Sequence, residues 1–282
     1  MGNNKNDGGK DVMITSSMVG ESVAGTYKGQ RVLCTIVPGN QEGLDEIQLS
    51  PLHPDEVVRG YMLVAVTPWY AKKSVREAYI NTEAADALVQ STKEFIEKIA
   101  LPSAKGVGHL HKYQILHKNL QSSKLLVDES GKAVVSGWNP VTIQDKSNNA
   151  ANQGMLIRTE KGGRKQSYPV RWMAPEALAG NFSKASDVWS LAVAWSEVLN
   201  QNAEPYEGMS AMMVIAKVTA GRLFPQINSA VKQQLPRPFV QLYHRMLERS
   251  PAKRPDMQEI VQRLEYLKEK LDQDPSYGCS KK

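Results

Sequence analysis

The residues of this chain that could do chemistry fall in a few short runs. His117-Lys118-Asn119-Leu120-Gln121-Ser122-Ser123-Lys124 places a histidine, an amide and two lysines in one stretch. An amide such as Asn119 cannot accept a hydroxyl proton at neutral pH, so it is no general base. An ammonium offers three donors and no lone pair. Lys118 or Lys124 could therefore hold a phosphate but not ligate a metal. Gly20-Glu-Ser22-Val-Ala-Gly25-Thr-Tyr27 has some of the glycine content of a phosphate-cradling loop, a weak signal by itself. Asp128 and Asp145 offer carboxylates. Ser147, Thr159, Ser167 and Tyr168 are hydroxyls open to phosphorylation, and Arg164 or Arg171 could hold the added phosphate. Each residue also has a plainer reading. An Asp such as Asp187 ahead of an apolar helix is a cap, and an isolated Glu176 or Arg254 is a solvated charge. Met209, Met212 and Met213, at helical spacing, are expected in the core, although methionines also suit partner surfaces.

These residues need elements to hold them. A chain of 282 residues has room for two domains or one domain of two lobes. Residues 1–12 are expected to be a disordered tail. Ala24 to Val37 and Tyr61 to Thr67 are rich in Val, Ile, Leu, Tyr and Thr and are expected to be strands. From Ser74 onward the pattern becomes helical. Ala84, Ala87, Leu88, Phe95 and Ile99 recur at helical spacing, and Pro102 should kink or end that helix. Lys184 to Leu199 is apolar on most sides, as a buried helix is. Asp256 to Leu271 carries Met257, Ile260, Val261, Leu264, Leu267 and Leu271 on one face, the pattern of a surface helix on a core. Residues 138–168 form a polar stretch whose length marks a functional or disordered loop. Residues 273–282 are expected to be a second disordered tail.

Composition removes several function classes. Apolar residues make up 41% of the chain and charged residues 23%, close to ordinary globular usage. The longest apolar runs, Tyr61 to Val66 and Ala211 to Ala216, are far too short to span a membrane. The polar, Gly-rich start carries no signal-peptide pattern, and Asn6 stands where a myristoylation signal has Ser or Thr. Cys34 and Cys279 cannot build a disulfide framework, so a reduced intracellular setting is expected. The formal charge of +6 raises the question of nucleic acid. Its basic residues are dispersed among acids and lack interleaved aromatics, so they are expected to be a solvated surface and not a nucleic-acid face.

One order of motifs carries a resemblance. Ala104-Lys-Gly-Val-Gly-His-Leu-His111 and Ile115-Leu-His-Lys-Asn-Leu120 precede Tyr168-Pro-Val-Arg-Trp-Met-Ala-Pro-Glu-Ala-Leu178. Ser186-Asp-Val-Trp-Ser-Leu-Ala-Val193 and Pro251-Ala-Lys-Arg-Pro255 follow. Order and spacing resemble the protein-kinase superfamily in its tyrosine-kinase branch, over about residues 17–270. The resemblance implies an α+β, bilobal kinase-like fold across 13–272. Its N-lobe, about 13–69, would be small, antiparallel and β-rich. Its C-lobe, about 74–272, would be larger and mainly helical. Only Ile36 to Leu52 separates Thr35 from His53-Pro54, so the regulatory helix is expected to be short, Leu44 to Ser50, with Glu46 in the place of its glutamate. The resemblance also implies a buried Glu176–Arg254 ion pair, an Asp187 that accepts from the catalytic-loop backbone, and packing roles for His117 and Trp138.

The chemical positions of the pattern are changed. Phosphoryl transfer wants a strand lysine on the phosphates, a carboxylate at the incoming hydroxyl, and a carboxylate and an amide on Mg²⁺. In this chain Thr35 stands for the strand lysine, Asn119 for the catalytic Asp, Lys124 for the metal-binding Asn and Gly137 for the metal-binding Asp. Gly20 and Gly25 keep two of the loop glycines, and Ser22 replaces the central one. Tyr27 and Leu33 replace small residues above the adenine, and together they are expected to crowd the nucleotide pocket. A one-residue slip of the strand would reverse its faces.

The expectation is a catalytically inactive pseudokinase domain with no bound cofactor or metal, serving as a signalling scaffold or allosteric partner. Its partners would be other signalling proteins, with an active kinase or a receptor as candidates. The stretches around Arg171-Trp172 and Asp187-Val188-Trp189 resemble dead receptor tyrosine kinases of the Ryk and colon-carcinoma-kinase/Off-track types. That likeness implies a cytoplasmic domain, belonging in the receptor case to a single-pass membrane protein. The alternative is a divergent kinase that keeps weak nucleotide binding or phosphotransfer.

Overall fold

The computed structural model describes residues 22–27, 30–38, 62–68, 74–80, 91–137 and 169–278. The chain divides into two compact units between Trp69 and Tyr70. The expected short helix with Glu46, the loop glycine Gly20, Trp138, and the stretch 138–168 with its hydroxyls lie outside the described residues.

The first unit contains a three-stranded antiparallel sheet in the order β1-β2-β3: β1 is Ser22–Tyr27, β2 Gln30–Pro38 and β3 Met62–Pro68. The single strand expected over 24–37 is thus two, with only Lys28 and Gly29 between them. Pairing runs Ser22↔Thr35, Ala24↔Leu33 and Tyr27↔Gln30, and Thr35 also pairs with Ala65. The expected crowding of the nucleotide pocket by Tyr27 and Leu33 concerns side chains outside those that the structure describes.

The second unit is mainly helical. Its helices are α1 (Val75–Ile80), α2 (Thr92–Phe95), α3 (Leu101–Lys112), α4 (Pro175–Leu178), α5 (Lys184–Leu199), α6 (Ala211–Thr219), α7 (Ser229–Gln234), α8 (Arg237–Met246) and α9 (Met257–Gln273). A short antiparallel pair, β4 (Leu125–Val127) and β5 (Ala133–Val135), follows α3. Helix α5 is the axis of the core: from Ser186 to Leu199 every residue is buried. Its start is fixed by Ser183, whose hydroxyl accepts from the Ser186 N–H in a reciprocal capping box. Trp195 on α5 donates its indole N–H to Ser103 Oγ at 3.0 Å, and its ring lies 6.0 Å from Phe239 of α8. Phe239 in turn meets Phe95 edge-on at 5.8 Å. The stripe on α9 is buried at Met257, Ile260, Leu264, Leu267 and Leu271.

Three expectations change here. Pro102 does not end its helix, and the expected local distortion is a π segment directly ahead of it. Ile96–Ala100 between α2 and α3 is a π turn, and the Leu101 N–H reaches back to the Ile96 carbonyl. A proline inside a regular α-helix collides with the carbonyl four residues back, and the wider π turn just ahead of Pro102 relieves that collision. Met212 and Met213 are exposed, at 66% and 46%, whereas Met209 packs against the core. Helix α6 turns Val214 and Val218 inward, so the residues just before Val214 face out. The chain after α9 is tied down at its start: the Arg237 N–H donates to the Gly278 carbonyl at 2.9 Å, and Tyr277 packs on the core.

Candidate functional site

The loop 117–124 is held from beneath by one carboxylate. Asp187, in the first turn of α5 and 1% exposed, accepts the His117 N–H at 2.8 Å and the Lys118 N–H at 2.9 Å. A third partner is the His111 ring, with Nε2 2.9 Å from the same carboxylate. A buried carboxylate is costly unless its oxygens are satisfied. These contacts satisfy it and fix the loop backbone, including the left-handed conformation of Lys118 at φ 58°. The resemblance gave Asp187 this role, and the geometry agrees.

His117 is fully buried. Its Nε2 lies 2.9 Å from the Ser136 carbonyl, and its Nδ1 accepts the Asn119 N–H. A carbonyl on one side and a donor on the other select the neutral tautomer with the proton on Nε2. Burial pushes the His117 pKa below its ordinary value, against the pull of the Asp187 charge. His117 thus joins the loop to the end of β5.

The side chains that this frame presents are Asn119, Gln121 and Lys124. Asn119 Oδ1 accepts from the Gln121 amide at 2.9 Å, so its oxygen is already engaged. Lys124 ends the 3-10 turn Ser122–Lys124, and its carbonyl accepts from both the N–H and the hydroxyl of Ser136. Its side chain runs along Gly137. A Cβ built on Gly137 would sit 2.9 Å from Lys124 Cδ and 3.6 Å from Nζ, and Gly137 has φ 64°. At the two positions that the resemblance assigns to Mg²⁺, a lysine stem lies on a glycine. These residues do not fit a divalent cation: neither side chain offers an oxygen ligand, and the ammonium opposes the charge. Among the described residues, no group of three or more His, Cys, Asp or Glu side chains is placed to hold a metal. Asp128 is engaged in the β4–β5 turn, accepting from the Ser130 hydroxyl and the Lys132 N–H, and does not approach the loop as a substitute.

The segment that begins at Pro169 is anchored twice. Glu176 and Arg254 form a two-pronged pair, with Nη1 at 2.6 Å and Nη2 at 2.9 Å from the two carboxylate oxygens. The Arg254 side chain is 0% exposed and that of Glu176 17%. Arg254 also donates to the Glu248 and Ala185 carbonyls and lies 5.1 Å over the Trp189 ring. The second anchor was not read from the sequence. Glu197, near the end of α5 and 1% exposed, accepts from Trp172 Nε1 at 2.9 Å and from the Ser122 N–H at 3.0 Å. Its other oxygen faces Arg76 of α1 at 3.4 Å. Glu197 joins the loop, the Val170–Trp172 turn and α1. A signal was available: Glu197 is an acid near the end of a helix whose other residues from Val188 to Leu199 are apolar or serine.

Arg171, read as a candidate phosphate holder, is already committed. It pairs with Glu204 at 3.1 Å and donates to the Pro205, Tyr206 and Met209 carbonyls. Between this segment and the loop lies a groove of about 420 Å³, lined by Asn119, Gln121, Lys124, Val170, Arg171 and Glu204 among others. A Gly at 106 lets α3 close on β5: a Cβ there would come within 2.6 Å of Val135 Cγ2.

A loop tied to the buried aspartate of a central helix, and a segment pinned by a Glu–Arg pair, define a kinase-type C-terminal lobe. The family model of protein tyrosine and serine/threonine kinases matches residues 58–264. The chain belongs to that family. Thr35 and the Gly-rich segment lie ahead of the matched span, whereas Asn119, Lys124 and Gly137 fall inside it. No helix among the described residues is long and apolar enough to cross a membrane.

Proposed function

We propose that this chain is a pseudokinase domain: a kinase-family fold that has given up phosphoryl transfer and works as a signalling scaffold or allosteric partner. The observation that carries the reading is the Lys124 side chain lying against Gly137. A cation fills the place of the metal, and the oxygen ligands on both sides of it are gone. Asn119 offers no base for a substrate hydroxyl. Each such group supplies orders of magnitude in rate, so their joint loss is not repaired by one neighbour. The likeness to dead receptor kinases of the Ryk and Off-track types points to a cytoplasmic signalling context, with an active kinase or a receptor as partner. Retention of Asp187, Glu176 and Arg254 agrees with selection for a rigid shape.

The test is thermal unfolding with and without ATP and Mg²⁺, together with a phosphotransfer assay. The expected result is no metal-dependent stabilisation and no turnover above a blank. Metal-dependent stabilisation with turnover overturns the proposal. Gly137→Asp combined with Lys124→Asn is the informative variant. It removes the collision and restores two ligands, so it should gain measurable Mg²⁺-dependent stabilisation while still lacking a base at Asn119.

A further inference from the structure

Helix α6 does not have the composition of a surface helix. Its residues, Ala211-Met-Met-Val-Ile-Ala-Lys-Val-Thr219, include one charge, Lys217. Yet only Val214 and Val218 of this helix are buried. A helix that is apolar all round belongs in a core, and a helix on a surface normally turns a polar face to water. Helix α9 follows that rule: its exposed side carries Gln262, Arg263, Glu265 and Glu269. The exposed side of α6 carries Met212, Met213, Ala216 and Thr219. Among the described residues, Met212 and Met213 are two of the four large apolar side chains left exposed. The other two, Tyr113 and Tyr266, each have an ammonium against the ring, Lys112 Nζ at 5.4 Å and Lys270 Nζ at 5.5 Å from the centroids. The charges around α6 stand at its two ends. Glu204 and Glu207 precede the helix, Lys217 lies in its last turn, and Arg222 follows it. Arg249 adds a cation at that second end, donating to the Thr219 carbonyl at 3.4 Å. Glu204 is paired with Arg171, which leaves Glu207 as the available acid at the first end.

We infer that this face of α6 binds a second copy of the same chain, with the two α6 helices antiparallel across a two-fold axis. An exposed apolar stripe with charged ends marks an interaction surface, and the order of the charges selects the occupant. In a two-fold interface residue i meets j and j meets i, so the surface must complement itself. Antiparallel α6 helices put Glu207 of each copy at the basic end of the other, beside Arg222. A parallel pair would instead gather Lys217, Arg222 and Arg249 of both copies at one end. Between the charged ends, Met212 and Met213 meet the small residues Ala216 and Thr219 of the second copy, and a flexible thioether fills such irregular gaps. The seam is one helix long, about 14 Å, so the interface is small and the dimer transient. The inference uses none of the positions on which the pseudokinase reading rests, and it stands apart from that reading.

The experiment is sedimentation velocity of the whole chain, without nucleotide or metal, over a range of concentrations that reaches the high micromolar. The expected result is a reversible monomer–dimer equilibrium that weakens as salt rises. Met212→Lys should weaken the dimer by roughly tenfold or more, because each dimer carries the change twice and loses apolar burial at both places. Met212 is 66% exposed, so the variant should unfold at the wild-type temperature when dilute, which separates loss of the interface from loss of the fold. The decisive test is a charge swap. Glu207→Lys alone and Arg222→Glu alone should each dimerise more weakly than the wild type, since like charges then meet at both ends of each homodimer. An equimolar mixture of the two variants sets opposite charges at both ends again and should regain the wild-type affinity. A chain that stays monomeric throughout overturns the proposal and leaves the face to a different protein. A dimer that ignores Met212→Lys also overturns it, as does a mixture that associates no better than either variant alone.

Discussion

Removing one partner of the Glu176–Arg254 pair tests how the segment after residue 168 is held. Glu176→Ala leaves a guanidinium whose side chain is 0% exposed facing an empty partner position. The two remaining strong bonds, to the Ala185 and Glu248 carbonyls, do not neutralise its charge. Breaking a buried pair from one side costs about 3–5 kcal/mol. In a folding unit of this size, each kcal/mol moves Tm by about 2–4 °C, so Tm should fall by roughly 6–20 °C. Arg254→Met should cost a similar amount, because it leaves the Glu176 carboxylate with the Ser186 hydroxyl as its described side-chain partner. In the Glu176→Ala/Arg254→Met double variant neither charge is stranded, so its cost should be less than the sum of the two. A coupling of about 1–3 kcal/mol is expected. The assay is urea unfolding of the wild type, both single variants and the double variant, followed by tryptophan fluorescence. A single-variant cost below about 1 kcal/mol, the value of a surface pair, would refute the reasoning. So would strict additivity.

Two further results should follow from the same geometry. His117 has a folded pKa below its unfolded value, so the unfolded chain binds more protons at mildly acid pH. The stability that this histidine contributes is complete above about pH 6.5 and is lost as pH falls through the folded pKa. His117→Gln should therefore flatten the slope of unfolding free energy between pH 7 and pH 5, and an unchanged slope would assign the dependence to other groups such as His244, which burial also pushes down. Gly106→Ala should destabilise by about 1–3 kcal/mol through overpacking, because its Cβ would meet Val135 Cγ2 at 2.6 Å. Val135→Ala should recover part of that loss in the double variant, as read by chemical denaturation.

The site was legible wherever one short run of sequence carries one role. Asp187, His117, Glu176 and Arg254 stand in motifs whose order alone assigns them, and their partners lie where the pattern requires. Glu197 has no such run. Its importance comes from Trp172, Ser122 and Arg76, which only the fold brings together. Pro102 signalled a distortion but not its form: the chain stays helical through a π segment placed directly ahead of it. Met212 and Met213 are misread because helical spacing fixes a shared face but not which face is covered.

The three contacts to Asp187 have a consequence for how such a domain can change over time. These contacts come from the N–H groups of His117 and Lys118 and from the His111 ring, none of which belongs to the positions that face the groove. Residues 119, 121 and 124 can be exchanged without loosening the strut that sets their height and direction. Shape and reactivity are therefore separately inherited. A chain built this way can lose one chemistry and acquire another ligand by a few surface-facing substitutions, with its supporting contacts untouched. The same separation makes those three positions the natural window for a directed library, while Asp187, His117 and His111 should be left fixed.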